Sequence, residues 1–312
     1  MNTTEIFTSE LPVGERLSIK RTRFEPKKIT GKEKRISIVS GIHGDELEGQ
    51  LVIYLLAEWL NNNSEKLTGI VDIYPAVNSL GVDTITRGFP LYDVDLNRTF
   101  PGGANEFLPG QVVHALAQDV KGSAIAIDIH SSNIFLREIP QIRINKEYSP
   151  STLPLAKELN CDFIWIHDAV TVLESTFSHT MNSMGTKTLV VEMGVGMRLT
   201  KEYGHQLLIG ILNLMKKEGI IECKEDFITR EAFNSEVGEV FYLNAPKSGL
   251  FVPALDHCAI IKKDEKIGDI VDPLTGIIHA TLNAPNDGIL FTLREYPVVY
   301  EGSLLGRIYG NK

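Results

Sequence analysis

This sequence is poor in the features that mark secreted, membrane-spanning or nucleic-acid-binding chains. It has three cysteines, Cys161, Cys223 and Cys258. They are too few and too far apart for a disulfide framework or a metal knuckle, so we read them as reduced, buried small hydrophobes in a cytoplasmic protein. No apolar run nears the roughly 18 residues that mark a membrane span. The first ten residues, MNTTEIFTSE, hold neither a basic nor an apolar targeting block, and we expect no signal peptide. Positive charge is scarce: the formal net charge is −9, and the longest basic cluster is 32–35. Nucleic acid and anionic membrane surfaces are therefore not expected partners. What remains is an ordinary globular composition, 43% hydrophobic and 23% charged, sufficient for one large or two smaller domains.

The chain is organised around residues 36–49, ISIVSGIHGDELEG. A β-branched run predicts a buried strand over 36–40. Apolar spacing predicts a helix over 47–60, with Leu47, Leu51, Tyr54, Leu55 and Trp59 near one face. His43 and Glu46 then sit on the turn between them, where Gly41, Gly44 and Gly49 permit positive φ and close backbone approach. An imidazole and a carboxylate three residues apart on such a turn are two of the three protein ligands of a His2Glu zinc site. The competing role for Glu46 is a capping-box carboxylate.

Further strands are predicted at 70–76, 124–129, 141–144, 163–166 and 186–193, and an amino-terminal strand pair near 16–20. Helices are predicted at 109–120, 152–159 and 200–217, and 78–105 reads as a long irregular stretch. Strands alternating with helices imply a mainly parallel α/β sheet. After about residue 222 the texture changes to short β-rich runs separated by turn residues, which reads as a small all-β domain.

Chemistry gathers where strands end, as it does in open α/β sheets. His130 closes the run AIAIDIH and supplies a second histidine to His43 and Glu46. Asp128, two residues earlier, points to the same face and is placed to fix an imidazole tautomer. Glu192 lies in the otherwise apolar LVVEMG, where a carboxylate needs either a buried ion pair or a proton-transfer role. In the irregular stretch, Arg98 and Asn97 offer donors for a substrate carboxylate, and Arg87 is a second cation nearby. The competing partners for these arginines are Asp93 and Asp95.

The segments GIHGDELEG, DLNRTFPG, DIHSS and VVEMG, in that order, resemble the succinylglutamate desuccinylase/aspartoacylase family of the zinc carboxypeptidase-like group. The resemblance implies a zinc carboxypeptidase-like α/β fold with a mainly parallel or mixed sheet flanked by helices, over 1–225. It implies a small β domain similar to biotinyl-carrier folds over 226–312. The carrier lysine motif is absent there, so no attached cofactor is expected. By the same resemblance His43, Glu46 and His130 bind one zinc per chain and Glu192 is the general base and acid. Asn97 and Arg98 grip the substrate carboxylate, and Arg87 holds substrate or polarises its carbonyl. The implied activity is a zinc-dependent deacylase acting on an N-acyl amino acid or related small carboxylate. Its rivals are a metallocarboxypeptidase acting on peptides and a metal-free carboxylate-binding protein. Homo-oligomerisation is left open, as are His167, Ser178 and His179, which match no motif.

Overall fold

The structure, a computed structural model, describes residues 1–168 and 174–310. Strands β1 (Asn2–Glu10) and β2 (Arg16–Phe24) form the antiparallel amino-terminal pair. Then follow β3 (Arg35–Ser40), α1 (Glu48–Asn62), β4 (Ile70–Tyr74) and α2 (Ser79–Thr84). Next come α3 (Leu108–Val120), β5 (Ile125–Ser131), β6 (Leu136–Asn145) and α4 (Ser149–Ala156). β7 (Phe163–His167), α5 (Phe177–Ser183), β8 (Lys187–Gly194) and α6 (Lys201–Lys217) complete the α/β part. The stretch read as irregular holds α2 and a 3-10 turn at Leu96–Arg98. No helix among the described residues is long and apolar enough to cross a membrane.

The centre of the sheet runs β4-β3-β5-β8 with all neighbours parallel. β2 joins β4, and β6 joins β8, in antiparallel fashion. Because β3, β5 and β8 are covered on both faces, their sequences are nearly continuous apolar runs. On one face Ile36, Ile38, Ile127, Ile129, Leu189 and Val191 pack with α1 and α6. On the other, Val39 and Ala126 pack with α3 and α5. Alternation along β5 puts Ala126 and Asp128 on this second face. Helix α1 buries Val52, Ile53, Leu56 and Leu60. Tyr54, predicted on the buried face, is 58% exposed, because the helix seats on the sheet one residue further round.

The carboxy-terminal strands are β9 (Phe233–Asn234), β10 (Glu239–Asn244), β11 (Gly249–Pro253), β12 (Ile260–Ile261) and β13 (Lys266–Val271). β14 (Ile278–Asn283), β15 (Gly288–Arg294), β16 (Val298–Val299) and β17 (Leu304–Gly310) follow. They form a four-stranded sheet, β14-β13-β11-β16, and a group that extends the main sheet through β6-β15-β17-β10. This segment has its own core of Phe251, Ile267, Ile270, Leu290 and Ile308. Strand pairing nevertheless joins it to the α/β sheet, since β15 pairs with β6 and β9 with β7. The cysteines are free. Cys161 is buried as expected, but Cys258 is exposed, its Sγ 3.1 Å from His257 Nδ1.

One buried charge fixes the antiparallel edge. Asp72 on β4 is fully buried and receives two hydrogen bonds of 2.7 Å from Arg23 of β2, with Arg35 Nη1 at 3.5 Å. Removing its charge leaves these guanidiniums uncompensated, so Asp72→Asn should cost about 3–5 kcal/mol of stability. Urea unfolding checks this; a loss under about 1 kcal/mol, the ordinary level for a surface change, would refute it.

Candidate active site

The turn after β3 brings His43 and Glu46 to the carboxyl ends of the parallel strands. Gly41 has φ 67. A Cβ on Gly44 would lie 2.0 Å from the Gly81 carbonyl carbon, so only glycine lets the turn press against α2. Glu46 does not cap α1, whose start has no side-chain cap. Its carboxylate turns inward instead. Oε1 lies 2.9 Å from His43 Nδ1, and Oε2 lies 2.8 Å from His130 Nδ1 at the end of β5. The Ser131 N–H donates to Oε2 at 3.2 Å, and Arg87 Nη1 donates to Oε1 at 2.5 Å. His43, Glu46 and His130 are each 3% exposed.

Behind each histidine stands another carboxylate. His43 Nε2 lies 2.9 Å from Asp95 Oδ1, and His130 Nε2 lies 3.0 Å from Asp128 Oδ2. Burial alone pushes both imidazoles toward neutrality. The charge of Glu46 with the hydrogen bond to Asp95 outweighs this for His43, and Asp128 with Glu46 does so for His130, so both titrate above an ordinary histidine. Burial likewise pushes Asp95 up, but the His43 ring, Arg87 and the Asn97 N–H bring it down to about 2.

The donor set fits a divalent metal ion. His43, Glu46 and His130 bring one ligand atom each to within 4.8 Å of one another. Asp95 Oδ1 is hydrogen-bonded to His43 Nε2, and Asp128 lies against His130 Nε2 at ion-pair distance, so in each ring an aspartate sits at Nε2 and Nδ1 is the nitrogen turned to Glu46. His43 Nδ1 is buried and faces Glu46 without forming a hydrogen bond. Two imidazoles and one carboxylate with an open side toward a pocket have the composition of an open rather than a closed metal site.

That pocket has a volume of about 390 Å³ and is lined by His43, Glu46, His130, Glu192, Asn97 and Arg98, among others. Glu192 sits in register with His130 on the neighbouring strand. Burial raises its pKa, against the pull of Arg143, whose Nη1 lies 3.1 Å from Oε1. Asn97 Oδ1 accepts the Phe177 N–H at 2.9 Å, so Asn97 also anchors the start of α5. Arg98 donates to the Asn97 carbonyl at 2.8 Å and, among the described residues, has no carboxylate within 4.0 Å. Arg87 reaches Asp95 at 3.9 Å besides Glu46. His167, Ser178 and His179 line the pocket; residues 169–173 of that unassigned segment lie outside the described residues.

Sequence reasoning missed the contact of Asp95 with His43 and three charged pocket residues, Glu138, Arg143 and Arg307. Asp95, weighed only as an arginine partner, backs His43. Arg143 of β6 pairs with Glu192. Glu138 of β6 is buried and accepts from Gln141, Thr292 and Arg307 at 2.6, 2.6 and 2.7 Å. Arg307 comes from β17. The guanidiniums of Arg143 and Arg307 lie 5.7 and 5.5 Å from the Trp165 ring centroid. A cation inside the apolar QIRIN carried the same signal as the glutamate inside LVVEMG.

Fold and site together define an α/β protein with a candidate three-residue metal centre opening into a polar pocket. The profile of the succinylglutamate desuccinylase/aspartoacylase catalytic domain matches residues 32–217, and the chain belongs to that family. An N-alpha-acetyl-L-2,4-diaminobutyric acid deacetylase of Halomonas elongata is 23% identical over 276 residues, covering 83% of this chain and 77% of that protein. A succinylglutamate desuccinylase/aspartoacylase structure from Rhodobacter sphaeroides superposes with a TM-score of 0.79 at 24% identity, covering 96% of this chain and 91% of that one. The product-bound ectoine utilization protein EutE (DoeB) of Ruegeria pomeroyi gives 0.81 at 18% identity, covering 98% and 93%. These structures share this chain's fold, the mainly parallel or mixed α/β sheet flanked by helices that the motifs led us to expect.

If Asp95 and Asp128 orient the two histidines for a metal, Asp95→Asn and Asp128→Asn should each weaken metal affinity about 10- to 100-fold. Competition with a chromophoric chelator measures this. Unchanged affinity in both would remove the aspartates from the centre.

Proposed function

We propose that this protein is a zinc-dependent amidohydrolase that removes the acyl group from an N-acyl amino acid or related small carboxylate. The observation that carries this reading is the convergence of three features on one pocket: the His43, Glu46 and His130 cluster, the half-buried carboxylate Glu192, and the guanidinium of Arg98, which has no carboxylate partner among the described residues. His43, Glu46 and His130 would hold one ion per chain. A divalent ion there supplies Lewis acidity and lowers the pKa of water.

The chain's own groups do the rest. Arg98, with the Asn97 amide beside it, takes the substrate carboxylate by paired charge-assisted hydrogen bonds and so fixes where the amide lies. Glu192 accepts a proton from the water whose oxygen attacks the amide carbon. As the C–N bond breaks, the same carboxyl delivers that proton to the departing nitrogen, and amine and carboxylate leave. Arg143 beside Glu192 orients its carboxylate and stabilises the charged form. Arg87, at the mouth of the cluster, supplies positive charge near the carbonyl oxygen. A pocket that contains Arg307 from the last strand favours small substrates over peptides. The separate core of 226–312 supports treating it as a second domain that completes this pocket, and the free thiols support a cytoplasmic setting.

Elemental analysis with an amine-release screen over N-acyl amino acids tests the whole. We expect one zinc per chain, lost in His130→Ala, and release from at least one N-acyl amino acid. Metal-free protein that stays inactive after zinc addition would reduce it to a carboxylate-binding protein, and release of terminal residues from peptides would make it a carboxypeptidase. Glu192→Gln should keep its zinc and lose about 10²- to 10⁴-fold in kcat; near-normal turnover would remove Glu192 from proton transfer. Arg98→Ala should raise KM roughly 10- to 100-fold, the cost of a lost charge-assisted pair. An unchanged KM would place the carboxylate anchor elsewhere.

A further inference from the structure

Four guanidiniums line the pocket, and their charges are not equally available. Arg87 is held by Glu46 at 2.5 Å, Arg143 by Glu192 at 3.1 Å and Arg307 by Glu138 at 2.7 Å. Arg143 also lies 3.6 Å from Glu138. Only Arg98, among the described residues that line the pocket, is an arginine with no carboxylate partner. The remaining wall offers neutral hydrogen-bonding groups, including Asn145, Tyr148, Asn182 and Thr188. Burial keeps His167 toward its neutral form, with the Arg143 charge adding to that and the Asp168 carbonyl opposing it.

We infer that the pocket selects N-acyl amino acids carrying one carboxylate and discriminates against those carrying a second, on the side chain or on the acyl group. This deepens the hydrolase reading and rests on it for the position of the substrate. The physical basis is the cost of re-partnering. A second substrate carboxylate could be neutralised by a pocket arginine only by drawing Arg87, Arg143 or Arg307 away from Glu46, Glu192 or Glu138. Glu138 is 1% exposed, with two further donors already on it, so its charge cannot turn to solvent. An anionic group entering this end would also face Glu192 and Glu138 as like charges. Glu138 is thus a specificity-determining residue: it holds two arginines that would otherwise accept a second anion.

Size-matched ligands separate the two cases. N-acetyl-L-glutamine and N-acetyl-L-glutamate differ by one charge, and N-acetyl-L-glutamine amide lacks the α-carboxylate. Calorimetric titration of the zinc-loaded full chain measures binding, and amine release measures turnover. We expect the glutamine compound to bind at least about tenfold more tightly than the glutamate compound, and the amide to bind more weakly than either. Equal or tighter binding of the glutamate compound overturns the inference, and so does failure of both acids to bind. Binding in the expected order without release from any compound sinks the hydrolase reading while the charge selection stands. Glu138→Gln, with fold checked by circular dichroism and zinc content, should narrow the ratio by strengthening glutamate binding. An unchanged ratio in a folded variant would remove Glu138 from specificity.

Discussion

The carboxylate of Glu46 is the charge on which the site depends. An isolated carboxylate buried this deeply would not stay ionised. Here two imidazoles, a backbone N–H and a guanidinium face it, and although its burial opposes ionisation, the two histidines hold it below the usual carboxylate range. These partners come from three pieces of chain: the turn after β3, the end of β5 and the loop before the Leu96–Arg98 turn. Asp95 and Asp128 then hold the rings from behind. Remove the central charge, and five polar side chains lose the reason for their orientation.

This arrangement is possible because β3, β5 and β8 are parallel and in register. Parallel strands end on the same edge, so the residues that follow them meet without a long excursion of chain. Register does the finer placement. Pairing of His130 with Glu192 across β5 and β8 puts a metal-ligating type and a proton-accepting type on neighbouring strands at one level. Alternation puts Asp128 on the face of His130 while Ile127 and Ile129 go to the opposite core. The apolar helices therefore cost the site nothing: they cover one parity of residues and leave the other for chemistry.

What could be read in the sequence follows from these rules. β3, β5 and β8 were legible because strands covered on both faces must be apolar, and a polar residue inside or just after such a run is conspicuous. His43, Glu46, His130 and Glu192 were all found that way, and all line one pocket. Tyr54 was misplaced because an amphipathic helix with extra apolar residues offers two plausible faces. The sheet and α6 together decide between them. Asp95 was read as a partner for arginine because local charge pairing is visible in sequence, whereas its contact with His43 spans the fold. The joining of the carboxy-terminal strands to β6 and β7 was illegible for the same reason, since strand partners are set by tertiary packing. Arg307 became a pocket residue only through that joining.

β6 shows how much one irregular residue decides. Glu138 and Arg143 are five positions apart, so a regular strand would send them to opposite faces. The pairing of β6 with β8 shifts register between Glu138 and Gln141, with Glu138 opposite Gly194 and Gln141 opposite Glu192. Pro140, which cannot donate to a ladder, lies within this shift. The extra residue reverses the alternation. Ile139 joins the small core of Phe163 and Phe291, Ile142 and Ile144 join the main core, and Glu138 and Arg143 both line the pocket. The bulge thus aligns Arg307, Glu138, Arg143 and Glu192 into a run of alternating charge crossing from β17 to β8. The same irregularity lets β6 serve both halves of the sheet: its first residues pair with β15, its last with β7. The pocket wall and the attachment of the carboxy-terminal strands are therefore one structural feature, and neither can be altered at β6 without the other.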